Sequence, residues 1–321
     1  MQKRINVSVR DIADFSLNQR DIETRAGFSY RESALDGTKN HIRFQKEMIK
    51  QYGKDAFTKE VYVEDILEND EVYMVITGRI DGILKTDISD TSDIFIYEIK
   101  TTNRDINEIK PSNRPEHLGQ AHCYAYMYCK KHNIESIRVR LVYINRENQD
   151  SIIFEYKFTF EEIKSIYDEL ANRYLDWVTG IRKWKVIRDQ SIATLEFPFI
   201  EYRDGQKKLM KEVYNCINDG VKLFATAPTG IGKTMGVLFP AIKALGAGLV
   251  DKLMYLTAKT VTSKVAVDAY KKLEKGGLNL RTICINAKDK VCPLEKRDCD
   301  PEKYIRANQY YLRARTCIKE M

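Results

Sequence analysis

Ala227-Pro228-Thr229-Gly230-Ile231-Gly232-Lys233-Thr234 decides how this chain is read. The run before it, residues 223–227, is strand-like, and residues 234–247 after it have a helical apolar pattern. A glycine-rich turn between a strand and a helix can wrap its backbone N–H groups around a phosphate, and the helix N-terminus adds the positive end of its dipole. In such a loop Lys233 is expected to reach the β- and γ-phosphates of ATP, and the Thr234 hydroxyl to hold Mg²⁺. Ala227, Thr229, Gly230 and Gly232 supply the loop itself. A chance glycine turn is the bland alternative. It is disfavoured because strand, loop and helix fall in the order the motif requires.

Working outward, a helix is expected over residues 206–218 and a further strand over 252–256. This β-loop-α-β order predicts a parallel-sheet unit, placed at residues 195–321. Gln206 lies 27 residues before Lys233, in Tyr202-Arg203-Asp204-Gly205-Gln206. The stretch from Gly180 to Glu201 reads as a boundary. The residues before it (1–185) run helix, strands, helix, strands, helix, which predicts an α/β domain with a mixed sheet flanked by helices. Strands are expected over 57–63, 71–76, 92–101, 139–144 and 152–158, the third with one buried face, and helices over 34–52, 116–131 and 160–177. Residues 6–20 show no assignable chemistry.

A second constellation lies in this first domain. Asp81 follows a strand, and Glu98-Ile99-Lys100 lies near the end of the next. Residues two apart on a strand face one side, so Glu98 and Lys100 point together. If the two strands are antiparallel neighbours, Asp81 meets Glu98 across the ladder. Two close carboxylates repel unless a divalent cation, Mg²⁺ or Mn²⁺, lies between them. A lysine beside them can stabilise charge developing on a phosphate. Taken alone, such a triad is more often a solvated strand end. Further residues accompany it: His41 on the first expected helix, and Gln120 and Tyr124 one turn apart on a later one, hence on one face.

The order His41, Gly78-x-x-Asp81, Glu98-x-Lys100, Gln120-x-x-x-Tyr124 resembles the RecB-like branch of the PD-(D/E)XK nucleases, over roughly residues 6–180. The resemblance implies that His41, Asp81 and Glu98 bind metal, that Lys100 is catalytic, and that Gln120 and Tyr124 help position DNA. The second half resembles the XPD/DinG family of superfamily 2 iron–sulfur helicases. The resemblance is carried by Arg203–Gln206, the A-x-x-G-x-G-K-T form of the phosphate loop, Thr257-Ala258-Lys259-Thr260, and a cysteine-rich stretch after them. It implies a partial RecA-like domain in which Gln206 reads adenine, and a 4Fe–4S cluster with Cys292 and Cys299 as its first two ligands. The chain departs from that pattern at the third ligand position, which carries Tyr304, and no Asp-Glu-x-His element follows Lys233. A zinc site from Cys292, Cys299 and Cys317 is an alternative that lacks tight Cys-x-x-Cys pairs. Two readings follow: a metal-dependent DNA nuclease joined to an ATP-binding, truncated helicase motor acting on single-stranded or branched DNA in repair, or a non-catalytic DNA- and nucleotide-binding fragment.

The bulk properties fit either reading. A chain of 321 residues suits two domains, and its net charge of +7 is compatible with a polyanionic partner. Seven cysteines with no apolar run behind Met1 predict reduced thiols, no signal peptide and a cytoplasmic protein. The apolar stretches are too short to span a bilayer, so no membrane partner is expected.

Overall fold

The computed structural model describes residues 2–18, 30–86, 93–258, 260–294, 304–306, 308–310, 313, 314 and 317, without the side chains of 30–37, 260–262, 288 and 289. The chain divides into two compact units: Met1–Thr179 with Asn286–Met321, and Gly180–Ile285. It is a mixed α/β protein.

The first unit is built on one mixed sheet. Its strands are β1 (Lys3–Ser8), β2 (Phe57–Glu68), β3 (Val72–Lys85), β4 (Ile94–Thr102), β5 (Ser136–Asn145) and β6 (Ser151–Thr159). The order is β1-β3-β4-β5-β6, with β2 on the other side of β3. The strand expected over residues 71–76 does not stop there but runs on as one 14-residue strand. Its long edge is shared: β1 runs parallel to residues 72–77 and β4 antiparallel to residues 82–85. Between these two ladders lie residues 78–81, and the site is built there.

Helices cover both faces. α1 (Val9–Leu17) starts at Ser8, whose hydroxyl accepts from the Asp11 backbone N–H while the Asp11 carboxylate answers, a capping box. The described part of the stretch without assignable chemistry, residues 6–18, thus supplies the end of an edge strand and a packing helix. α2 (Tyr30–Tyr52), α3 (Pro115–His132) and α4 (Phe160–Ala193) follow. α3 begins with Pro115 at its first turn, where no N–H is needed, and stops at Asn133 in the left-handed conformation. One core joins β1, β3 and β4 to α1, α3 and α4 through Ile12, Ile76, Ile80, Ile96 and Tyr167. A second core gathers Met48 of α2 with Phe57, Phe95, Tyr97 and Ile99. β4 therefore has both faces buried. The one-sided burial expected for it is corrected because it is a central strand with a helix layer over each side.

α4 does not end near residue 177. It continues through Gly180 to Ala193, because a single open glycine costs a helix only about 1 kcal/mol. The first part of the stretch that reads as a boundary, residues 180–193, is therefore helical.

The second unit holds the end of α4, α5 (Gln206–Asn218), α6 (Lys233–Gly246) and α7 (Thr260–Lys275). Its core is Ile192, Leu195, Met235, Phe239, Ile242, Leu245 and Leu273. The parallel sheet expected here is not formed among the described residues: 221–228, 252–257 and 279–287 carry no ladder. Phe224, Leu256 and Ile285 are 95%, 83% and 81% exposed. Apolar runs propose strands, but a strand exists only when a neighbour takes its backbone N–H and C=O groups. No described helix is long and apolar enough to cross a membrane.

Candidate functional site

The β3–β4 register pairs Gly82 with Tyr97 and Ile83 with Ile96, which sets Asp81 opposite Glu98 as the ladder ends. The backbone does not continue the pairing there. The Ile99 N–H donates to the Asp81 carboxylate at 2.7 Å. On the other edge, Lys59 pairs with Gly82 and Val61 with Ile80, and Glu60 between them takes a left-handed φ of 53°. A non-glycine residue in that region costs on the order of 1–3 kcal/mol, and such strain gathers at functional sites. Gln45 of α2 fills the gap, donating to the Asp81 carbonyl at 2.8 Å and to the Glu60 carboxylate at 2.9 Å. Side-chain alternation also slips here. Ile76 and Ile80 enter the same core as Ile83, while Gly82 faces the Phe57 ring.

Around this kink stand the side chains singled out in the sequence. His41 Nδ1 lies 3.6 Å from Asp81 Oδ1. Lys100 Nζ lies 2.5 Å from Glu98 Oε1 and donates to Gln120 Oε1 at 2.8 Å. Gln120 Nε2 donates to the Tyr124 hydroxyl at 3.0 Å. The chain Glu98–Lys100–Gln120–Tyr124 is thus continuous, and Asp81 and His41 adjoin it. Gly78 makes room for this: a Cβ there would sit 2.4 Å from the Tyr124 ring.

Glu98 is almost fully buried, and its Oε2 meets no hydrogen-bond donor among the described residues. Burial pushes its carboxyl up to about 7; Lys100 and His41 pull it down, and Asp81 pushes it further up. Burial and the nearby Glu98 charge raise the Tyr124 phenol. Two carboxylates, one with a buried oxygen lacking a donor, and an imidazole are a donor set that suits a hard divalent cation. Among the described residues, however, no three His, Cys, Asp or Glu side chains close on one point as a metal-ligand set.

His122 lies outside this chain of bonds. It packs edge-on to Phe158, and burial lowers its pKa to about 4. It is a core imidazole. Sequence reasoning missed Gln45 and Glu60; Gln45 was findable as the residue one helical turn after His41, hence on the same face.

In the second unit Gly230 and Gly232 have φ of 91° and 79°, the left-handed geometry that lets the loop turn, and Lys233 opens α6. Lys233 Nζ donates to the Ala227 and Pro228 carbonyls of its own loop at 2.8 and 2.9 Å. Gln206 is buried, accepts from the Arg203 N–H at 3.1 Å and donates to the Gly232 carbonyl at 3.2 Å; the Arg203 guanidinium donates to the Gly230 carbonyl. The Gln206 helix start and the loop are therefore one structure. A cavity of about 270 Å³ lies beside them, lined by Phe199, Arg203, Gln206, Lys233, Thr234 and Lys272. Ala227 and Thr229 belong to the loop without lining that cavity. Cys292 is half-buried, and Cys299 and Lys259 lie outside the described residues, as does any pairing with them.

No family model matches the chain. Over 47 residues, 15% of its length, it is 45% identical to a probable ATP-dependent helicase of Methanocaldococcus jannaschii, 7% of that protein. Over 84 residues, 26% of its length, it is 33% identical to the 3′-5′ exonuclease DinG of Bacillus subtilis, 9% of that protein. Part of the chain is helicase-related. The matched stretches span less than a tenth of either relative. A solved structure, that of SSO0001, aligns over 53% of this chain and 77% of its own at 17% identity and a TM-score of 0.33, a likeness too loose to decide the fold.

Proposed function

We propose that the first unit is a metal-dependent DNA nuclease and that the second binds ATP in the manner of a helicase motor. The observation that supports the nuclease reading is the bonded chain Glu98–Lys100–Gln120–Tyr124 set against Asp81 where the β3 ladder splits.

His41, Asp81 and Glu98 would hold the cation, the latter through its buried Oε2. When bound, Mg²⁺ or Mn²⁺ would polarise a phosphodiester and make water a stronger acid. The protein's own residues prepare for this. Glu98 is poised to give up its proton in exchange for a cation, since its carboxyl titrates near neutrality without one. Gln120, itself held by Tyr124, fixes the Lys100 ammonium beside Glu98, where it can stabilise charge on a phosphate oxygen. Gln45 and the Ile99 N–H lock Asp81 from two sides. In the second unit, nucleotide phosphates would take Lys233 from the loop carbonyls, and Gln206 would lie at the cavity wall to read the base. DNA and ATP are the partners this reading names. A 4Fe–4S cluster would take Cys292 and Cys299 as its first two ligands, and a zinc ion would take those two with Cys317.

The test is cleavage of end-labelled single-stranded, duplex and flapped DNA with Mn²⁺ or Mg²⁺, beside Asp81→Ala/Glu98→Ala. Cleavage that the double variant loses is expected. No cleavage of any substrate overturns the nuclease reading and leaves a DNA- and nucleotide-binding protein.

A further inference from the structure

Beside the Glu98–Lys100 pair lies a cavity of about 570 Å³. That is within the range of pockets that enclose a small ligand, roughly 300–1,000 Å³. Arg10, Arg104, Lys110, Arg114 and Arg146 line it against one carboxylate, Glu108. His41 and Lys100 line it too, so it adjoins the candidate nuclease site. Arg114 also reaches the Glu116 carboxylate at 3.6 Å; the other four cations, facing one cavity, repel each other, and an anion relieves that repulsion.

The cavity wall is braced from the backbone. β4 and β5 are parallel neighbours, paired to Thr102 and Asn145, and both end here. The Arg146 N–H donates to the Thr102 carbonyl at 2.9 Å and its Nε to Thr101 Oγ1 at 3.1 Å. Asn145 Nδ2 donates to the Arg104 carbonyl at 2.9 Å. Among the described residues no carboxylate pairs with Arg104 or Arg146, so their remaining guanidinium N–H groups are available. Guanidinium groups match phosphate oxygens in charge and geometry. Ligands of open α/β sheets also sit beyond the carboxyl ends of parallel strands.

We propose that this cavity is a phosphate subsite for a single nucleic-acid strand, with Arg104 and Arg146 as its braced cations, holding a phosphate next to the one presented to Glu98 and Lys100. The choice of a nucleic-acid phosphate rests on the nuclease reading. Binding is therefore measured apart from cleavage.

The full chain in EDTA is titrated into a fluorescein-labelled single-stranded oligonucleotide, and anisotropy is read at several salt concentrations. Arg104→Ala/Arg146→Ala is expected to bind about tenfold more weakly or worse, with a log K against log salt slope smaller by about 0.7, because the one phosphate contact the two arginines share contributes roughly that much on a single strand. Arg104→Lys/Arg146→Lys should keep most of the slope. If the alanine protein does not melt like the parent, the Gln pair replaces it. Unchanged affinity and slope in a folded variant overturn the subsite, even if metal-dependent cleavage persists. A strand bound through these arginines but never cut retains the subsite and overturns the nuclease reading. Linear 5′-phosphorylated, linear 5′-hydroxyl and circular strands then separate the sources. A loss confined to phosphorylated ends places a terminal phosphate in the cavity, an equal loss on circles places an internal one, and both uphold it.

Discussion

A glycine and a buried carboxylate carry the sharpest consequences at the residue scale. A Cβ on Gly78 would press into the Tyr124 ring at 2.4 Å. Gly78→Ala should cost about 1–3 kcal/mol by overpacking, and Gly78→Ala/Tyr124→Leu should recover part of it; thermal or urea unfolding of the four proteins of that cycle measures the coupling. Glu98 gives a pH signature. Its carboxyl is raised to about 7 in the fold and lies near 4.5 when unfolded, so folding binds a proton between those values. Its contribution is complete below about 4.5 and is lost as pH rises through about 7. In metal-free buffer Glu98→Gln should therefore melt higher than the parent at pH 8, with the gap closing toward pH 5. Mn²⁺ should raise the parent's melting temperature at pH 8 and leave the variant's unmoved; an equal response in both would count against Glu98 as a ligand. In the loop of the second unit, Lys233 bonds to two of its own carbonyls, so its ammonium exchanges partners when phosphate arrives. Lys233→Ala should weaken a fluorescent ATP analogue by about 1.5–3 kcal/mol, roughly 10- to 150-fold in Kd.

Among the elements, α3 has two tasks. Its Gln120–Tyr124 turn faces the end of the β3–β4 ladder, while residues 121–129 are buried all round. His122 lies on that buried part with a pKa near 4 against 6.5 when unfolded. The sign is opposite to that of Glu98. The neutral imidazole's contribution is present above about 6.5 and is lost as pH falls through about 4. His122→Leu should shift the acid-unfolding midpoint, followed by circular dichroism, to lower pH; an unmoved midpoint would mean that the imidazole is hydrated in the fold. The sequence marked α3 as a helix and placed Gln120 and Tyr124 on one face, because a 3.6-residue period is a local property. It did not mark β1, and it ended β3 at residue 76, since an edge strand and a strand with a phase slip lack the clean alternation by which strands are read.

For the whole molecule, the sites fall in separate units with separate cores, so their ligands should leave separate footprints. Hydrogen exchange with Mn²⁺ should slow the amides of residues 78–83 and 96–101. Exchange with ATP should slow 203–209 and 229–236. Protection by Mn²⁺ in the second set, or by ATP in the first, would overturn the assignment of the sites to units. What the sequence determined by itself was short in range: a glycine-rich turn opening a helix, a Glu-x-Lys pair on one strand face, a Gln and Tyr one turn apart, and the mixed α/β character. Each follows from the backbone period or the allowed φ of a few consecutive residues. Only the tertiary structure decided that Asp81 opposes Glu98, that Gln45 and Glu60 complete the kink, that Lys100 lies between Glu98 and Gln120, and that Arg10, Arg104 and Arg146 share one cavity. It also decided that the apolar runs beside the phosphate loop form no ladder among the described residues. The physical reason is common to all of these. Strand pairing and the meeting of side chains far apart in sequence depend on which neighbour arrives, and no window of local residues encodes the neighbour.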